Sequence, residues 1–244
     1  MFEKEKDSLL LNPAFPALAG ITNCWAGDFG YGNFETERMG EEYRASRLLA
    51  RALCGDFSYA KIIPEHGDRL ILAESFDGYA RTDGLINFTK KEKKEPGVLF
   101  SVTADCPTIV FATADQNLIA IVHSGWKGCQ LKIAEKTVDR IGEKTGIIPQ
   151  NLFAGIFPGI CGKCFEVKDD VGLLFPEFYK DGRLNLTNII LNQLSSTGVI
   201  PEKIFLAPYC SHCTEGAGSD PFFSYRRDKT AKRNAVFIIR RNND

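Results

Sequence analysis

What this chain of 244 residues lacks narrows its class. It holds no apolar stretch near about 18 residues, so no membrane-spanning helix is expected. Behind Met1-Phe2-Glu3-Lys4-Glu5-Lys6 there is no hydrophobic core of a signal peptide, and the expectation is a cytoplasmic protein. Net charge is almost absent at -1, and no basic stripe runs along an expected helix, which argues against a nucleic-acid partner. The one dense charge run, from Lys90 to Glu95, mixes both signs ahead of Pro96-Gly97 and reads as a solvated loop. Neither an internal repeat nor a Pro/Gly/Ser linker divides the sequence, so the expectation is a single domain spanning 1–244. Histidine is scarce, at three residues. Cysteine is not, at eight, yet a chain this long and this rich in core residues does not need disulfide stapling. In a reducing compartment those cysteines mean burial, metal or catalysis.

The apolar pattern gives the elements. Glu41 to Cys54 puts Tyr43, Leu48, Leu49, Ala52 and Leu53 mostly on one face between Gly40 and Gly55, the mark of a helix. Strands are expected at Tyr59–Ile63, Arg69–Ala73, Leu85–Phe88, Val98–Thr103, Thr108–Thr113 and Leu118–His123, all short runs rich in apolar and β-branched residues. Past Gly125 the period changes, with Leu131, Ala134, Val138 and Ile141 recurring at helical spacing. Leu152–Phe157 reads as a further strand, Asn188–Ser196 as a helix ended by Gly198, and Ala235–Arg240 as a last strand. Hairpin-like clusters interleaved with helices suit an α+β fold, a mixed sheet or sandwich core flanked by helices, better than a strict βαβ alternation.

Two of the histidines, His66 and His123, fall at the ends of expected strands beside a glycine. Cys106 ends a third strand between Asp105 and Pro107, a residue that forces a turn there. Two imidazoles and a thiolate suit zinc with a fourth position left open for water or substrate, and copper is chemically acceptable too. The plainer alternative, a small buried cysteine and two histidines bonded to backbone, stays open on spacing alone. A second pattern joins Cys161-x-x-Cys164 to Cys210-x-x-Cys213 across a long separation. It makes a structural zinc site or a redox pair if the two loops meet, with His212 as a substitute ligand, and otherwise four unpaired thiols.

At Thr103-Ala-Asp-Cys106-Pro, Val122-His123-Ser-Gly-Trp-Lys-Gly128, Cys161-Gly-Lys-Cys-Phe-Glu-Val167 and Phe223-Ser-Tyr-Arg-Arg-Asp228 the chain resembles the YfiH-type family of laccase-domain or polyphenol oxidase proteins, also described as purine nucleoside phosphorylases. The motifs run in family order from about Gly20 to Ile239. The resemblance implies metal ligands at His66, Cys106 and His123, and a single-domain α+β fold similar to cytotoxic necrotizing factor catalytic domains. It further implies phosphorolysis of adenosine, inosine, guanosine and methylthioadenosine, with hydrolytic deamination of adenosine. Two positions depart from the family pattern: Pro64-Glu65-His66-Gly67 replaces Gln-Val-His-Gly, and Lys127 stands where the family has arginine, losing a planar fork for oxyanions. The segment from Cys24 to Glu35 only loosely matches the family's glycine-rich loop.

For deamination, a zinc ion lowers the pKa of bound water to roughly 7 and so gives a hydroxide able to attack the purine, provided a carboxylate carries the proton; Glu65 and Asp105, each next to an expected ligand, are the candidates. Phosphorolysis needs phosphate held beside the sugar by positive charge, for which Lys127 in the strand-to-helix turn and Arg227 are the expected residues, beside Arg226. Trp126 or Tyr225 would stack on the base or sugar, or else belong to the core. Two rival readings are a metal-free hydrolase, with Cys106 as nucleophile and His123 as base, and a copper-dependent, laccase-like polyphenol oxidase. The latter needs several more ligands than one His/Cys/His set supplies.

Overall fold

The computed structural model describes residues 2–4, 8–11, 14–22, 28–29, 59–73, 78–89, 97–213 and 222–240. The helix expected over Glu41–Cys54, the charge run at Lys90 and the segment from Cys24 lie outside or largely outside them.

Two sheets carry the fold. The first contains β1 (Phe2–Lys4), β2 (Ser8–Leu11), β3 (Leu18–Thr22), β4 (Tyr59–Ile63), β6 (Gly78–Arg81), β8 (Val98–Thr103) and β15 (Asn234–Ile239), ordered β1-β2-β3-β15-β8-β4-β6. The second is ordered β14-β11-β9-β10-β7-β5, with β5 at Leu70–Leu72, β7 at Gly84–Phe88, β9 at Thr108–Thr113, β10 at Leu118–His123, β11 at Leu152–Ile156 and β14 at Ile204–Leu206. A small hairpin pairs β12 (Tyr179–Lys180) with β13 (Arg183–Leu184).

The central strands β9 and β10 of the second sheet are buried on both faces, and the two-residue period divides their side chains between two cores. Val110, Ala112, Ile119 and Ile121 meet Ile62, Leu99, Val236 and Ile238 of the first sheet. Ile109, Phe111, Leu118, Ala120 and Val122 point the other way, onto two helices. The described residues therefore form three layers, sheet on sheet on helix, an α+β arrangement. The main helices are α2 (Ile133–Thr145) and α4 (Leu186–Ser196), preceded by the short α1 (Trp126–Gln130) and α3 (Asp169–Gly172) and followed by α5 (Tyr225–Asp228).

Local chemistry sets the helix ends. α2 ends in a left-handed Gly146, whose N–H reaches the Gly142 carbonyl. α4 starts on Asn185, whose side-chain oxygen accepts from the Asn188 amide. Gln193 of α4 donates to the Cys129 carbonyl of α1 at 2.7 Å, tying the helix layer to the turn that follows β10.

Topology selects one end of the sandwich for the site. In the first sheet β4 runs parallel to both β6 and β8, so the three strands finish on the same edge. From that edge the chain crosses to the second sheet three times: β4 to β5, β6 to β7 and β8 to β9. β10 runs antiparallel to β7, with Val122 opposite Gly84, so it also ends beside these crossings.

Candidate metal centre and cavity

His66 lies on the first crossing, Cys106 on the third, and His123 at the end of β10. Their ligand atoms all lie within 4.8 Å of one another, although 57 residues separate the outer two along the chain. The His66 and His123 rings stand edge to face at 85°, their centroids 5.0 Å apart. The backbone is driven to unusual values to achieve this: His66 has φ 59° and Asp105 has φ 87°, the left-handed region that side-chain-bearing residues seldom occupy.

Asp83, on the second crossing, holds the two histidines. Its Oδ1 accepts the His66 amide at 2.8 Å and its Oδ2 the Gly67 amide at 2.8 Å, while His123 Nδ1 lies 3.3 Å from Oδ1. A carboxylate that only accepts places the proton on Nδ1 and leaves the other ring nitrogen free to ligate, the usual support for a metal-binding histidine. Cys106 is fixed through its carbonyl, which accepts from Thr103 Oγ1 at 2.6 Å.

Close packing shapes the cradle. A methyl group on Gly125 would lie 3.1 Å from Cys106 Sγ, 3.6 Å from His123 Cε1 and 3.8 Å from His66 Cδ2, so glycine is what leaves room beside the three side chains. Two imidazoles and one thiol with ligand atoms within 4.8 Å of one another are a donor set that fits a zinc ion and leaves a fourth position for water or substrate. On the far side of Cys106, a Cβ on Gly159 would sit 2.6 Å from the Pro107 ring, so only glycine lets the loop after β11 approach so closely.

In the metal-free protein the same groups form a charged relay. Burial raises the Cys106 thiol, but the His123 charge and hydrogen bond, then His66, outweigh it and bring it down to about 6. For His123 burial works downward, yet Cys106 and Asp83 together push it up to about 9. Asp83 is driven up by burial and pulled further down by His123 and the two backbone amides, ending below its ordinary range.

The group opens into a cavity of about 360 Å³. Trp126, Phe165 and Tyr225 give it aromatic walls, and Arg226 and Arg233 bring guanidinium groups. Arg226 stacks over Phe165 at 5.2 Å and donates from its side chain to the Glu166 carbonyl; Arg233 stands 6.0 Å over Tyr225.

The other residues expected at the site fare differently. Asp105 lines the cavity, but its two oxygens already accept bonds from Ser211 Oγ and the Arg226 amide, each at 2.6 Å. Glu65 is exposed and is not part of the lining. Lys127 is exposed too, with its ammonium 5.6 Å above the Trp126 ring and outside the lining. Arg227 is committed elsewhere: it donates to the carbonyls of Ser211, His212 and Phe222 and pairs with Asp228, so it braces the wall. Sequence reading passed over Asp83, hidden in an ordinary-looking Thr-Asp-Gly turn, and Arg233, which lies beyond the matched motif. The two Cys-x-x-Cys loops do meet, their four sulfur donors within 4.8 Å of one another.

A family model described as "Multi-copper polyphenol oxidoreductase laccase" matches residues 43–241. The chain is 30% identical over 195 residues to a purine nucleoside phosphorylase of Deinococcus radiodurans, covering 77% of this chain and 71% of that one. A purine nucleoside phosphorylase of Clostridium acetobutylicum is 31% identical, covering 76% and 78%. A third relative, the adenosine deaminase RL5 of an unknown prokaryotic organism, is 30% identical over 149 residues, covering 54% and 53%. Among solved structures, YlmD from Geobacillus stearothermophilus superposes with a TM-score of 0.81 over 99% of both chains at 23% identity. The hypothetical protein YfiH of Bacillus licheniformis gives 0.82 at 23% identity, over 98% of this chain and 99% of that one.

Proposed function

Because this chain belongs to the YfiH-type family of laccase-domain proteins, we propose that it is a zinc-dependent purine nucleoside phosphorylase with adenosine deaminase activity. Its substrates in this reading are adenosine, inosine, guanosine and methylthioadenosine, with phosphate as co-substrate. One observation carries the reading: a His/His/Cys donor set stands at the wall of a cavity whose other walls are aromatic and cationic. Those are the surfaces that a purine ring and a phosphate require.

His66, Cys106 and His123 hold the zinc ion, which supplies Lewis-acid chemistry when bound. Trp126, Phe165 and Tyr225 sandwich the base and exclude water from it. Arg226 and Arg233 take over the phosphate-holding role expected of Lys127 and Arg227, since their guanidinium groups line the cavity and bring the positive charge an oxyanion needs, each anchored by one nitrogen on backbone carbonyls, Glu166 for Arg226 and Thr230 and Lys232 for Arg233. Among the described residues of the lining, Asp105 is the one carboxylate, so the proton exchanged with the purine passes through it in preference to the exposed Glu65.

Incubating wild type and Cys106→Ala with adenosine and phosphate tests the reading. Adenine and ribose 1-phosphate report phosphorolysis, inosine reports deamination, and both should vanish in the variant. An inactive wild type carrying its metal would overturn it.

A second reading is favoured by one observation, the Cys106 sulfur within 4.8 Å of a His123 ring nitrogen, whose charge draws the thiol down as a metal-free cysteine hydrolase needs. A chain purified without chelators that carries no metal at Cys106 would move this reading to first place. Copper-dependent phenol oxidation is weaker, because the whole sequence has three histidines and two of them are already in this group.

A further inference from the structure

We propose that Cys161, Cys164, Cys210 and Cys213 bind a second, structural zinc ion that clamps the cavity wall. The site stands apart from the His66, Cys106 and His123 group and does not depend on which reaction occurs there.

Topology explains how two distant pairs meet. β11 and β14 lie side by side and parallel, Ala154 opposite Ile204 and Ile156 opposite Leu206, so the loops that follow them leave the sheet at the same end. The backbones then stay zipped: the Ala207 amide bonds the Ile156 carbonyl at 3.0 Å and the Ser211 amide the Gly159 carbonyl at 3.0 Å. Each loop delivers its Cys-x-x-Cys on a tight turn. In the first, the Cys164 and Phe165 amides both return to the Cys161 carbonyl, at 2.9 and 3.0 Å.

The sulfur geometry is that of a metal site. All four ligand atoms lie within 4.8 Å of one another, and Cys161 Sγ is 3.9 Å from Cys213 Sγ. A disulfide would need about 2.05 Å. Four sulfurs around zinc at about 2.3 Å stand about 3.8 Å apart, so the observed separation is that of a tetrahedron's edge. Backbone amides already point at the sulfur of Cys210, from Cys161 at 3.2 Å and His212 at 3.3 Å, which is how a bound thiolate is usually supported. With four thiolates there is no open position, the mark of a structural site, and a tetrahedral set of soft sulfur donors suits zinc.

The clamp acts on the cavity through short links. Ile160 and Phe165, which bracket the first pair, line the cavity. Ser211, between the cysteines of the second pair, donates its hydroxyl to Asp105, the residue before Cys106. Ile160 donates its amide to the Asp105 carbonyl at 2.7 Å.

Elemental analysis of the full chain, purified tag-free without chelators, tests this. Wild type should carry about two zinc ions per chain, and Cys161→Ser/Cys164→Ser about one. Cys106→Ala should keep about one, and after exchange for cobalt it should show the intense sulfur-to-metal charge-transfer bands of a four-thiolate site. The Cys106→Ala measurement stands by itself if the double variant fails to fold. About one zinc in wild type and none in Cys106→Ala would overturn the proposal, as would iron in place of zinc, or intact disulfides among the four cysteines found by mass spectrometry.

Discussion

At the residue scale the site turns on Asp83, whose single carboxylate fixes the His66 backbone and the His123 ring. Asp83→Asn keeps the volume but presents an amide where His123 needs an acceptor. Zinc affinity at this group should fall about 10- to 100-fold, read by competition with a coloured chelator in the Cys161→Ser/Cys164→Ser background. Cys106 gives a second test once the metal is stripped. Its thiolate is held down to about 6, so its alkylation by iodoacetamide should be half-maximal near pH 6 and fall away as the pH drops below that value. Buried Cys129, pushed up to about 12 by desolvation, should stay unreactive over the same range, as peptide mapping would show. A Cys106 midpoint at the ordinary thiol value would remove the ion pair with His123 from the account. The His66, Cys106 and His123 cluster was legible in the sequence, because a histidine or cysteine at a strand end beside Gly or Pro is a recognisable pattern. Asp83 was not, because a Thr-Asp-Gly turn looks alike whether its carboxylate faces water or two imidazoles.

At the element scale, legibility follows burial. β4, β8, β9 and β10 fall on the residues expected from their apolar runs, since strands buried on both faces read as unbroken hydrophobic segments. β6, Gly-Tyr-Ala-Arg with half its residues exposed, carries no such run and escaped notice. The helical period after Gly125 hides a break: Lys132 takes φ 59°, and what reads as one helix is α1 followed by α2. The central sheet should be the most sensitive element. Phe111 is fully buried where the sheet meets α2 and α4, so Phe111→Ala should cost about 3–5 kcal/mol in urea unfolding. Leu173→Ala, at a side chain 68% exposed, should stay within about 0.5 kcal/mol of wild type.

At the scale of the whole molecule, His66 and Cys106 sit on crossings between the two sheets, so a metal ion held by them and His123 would also bolt the sandwich together. A ligand present at about 1,000 times its Kd stabilises the folded state by about 4 kcal/mol, and a chain of this size gains about 2–4 °C in Tm per kcal/mol. Chelation should therefore lower Tm by on the order of 10 °C in the Cys161→Ser/Cys164→Ser background, and zinc should restore it; an unchanged Tm would mean that the ion does not couple the sheets. The spread of the ligands along the chain also bears on the order in which the protein assembles. No two of the three are near neighbours in sequence, and each reaches its place only after its own sheet crossing or strand has formed. β15, the last strand in sequence, lies between β3 and β8, so the first sheet is complete only after the whole second sheet has been made, and an ion held by the three residues would be captured late in folding, when the two sheets close on each other.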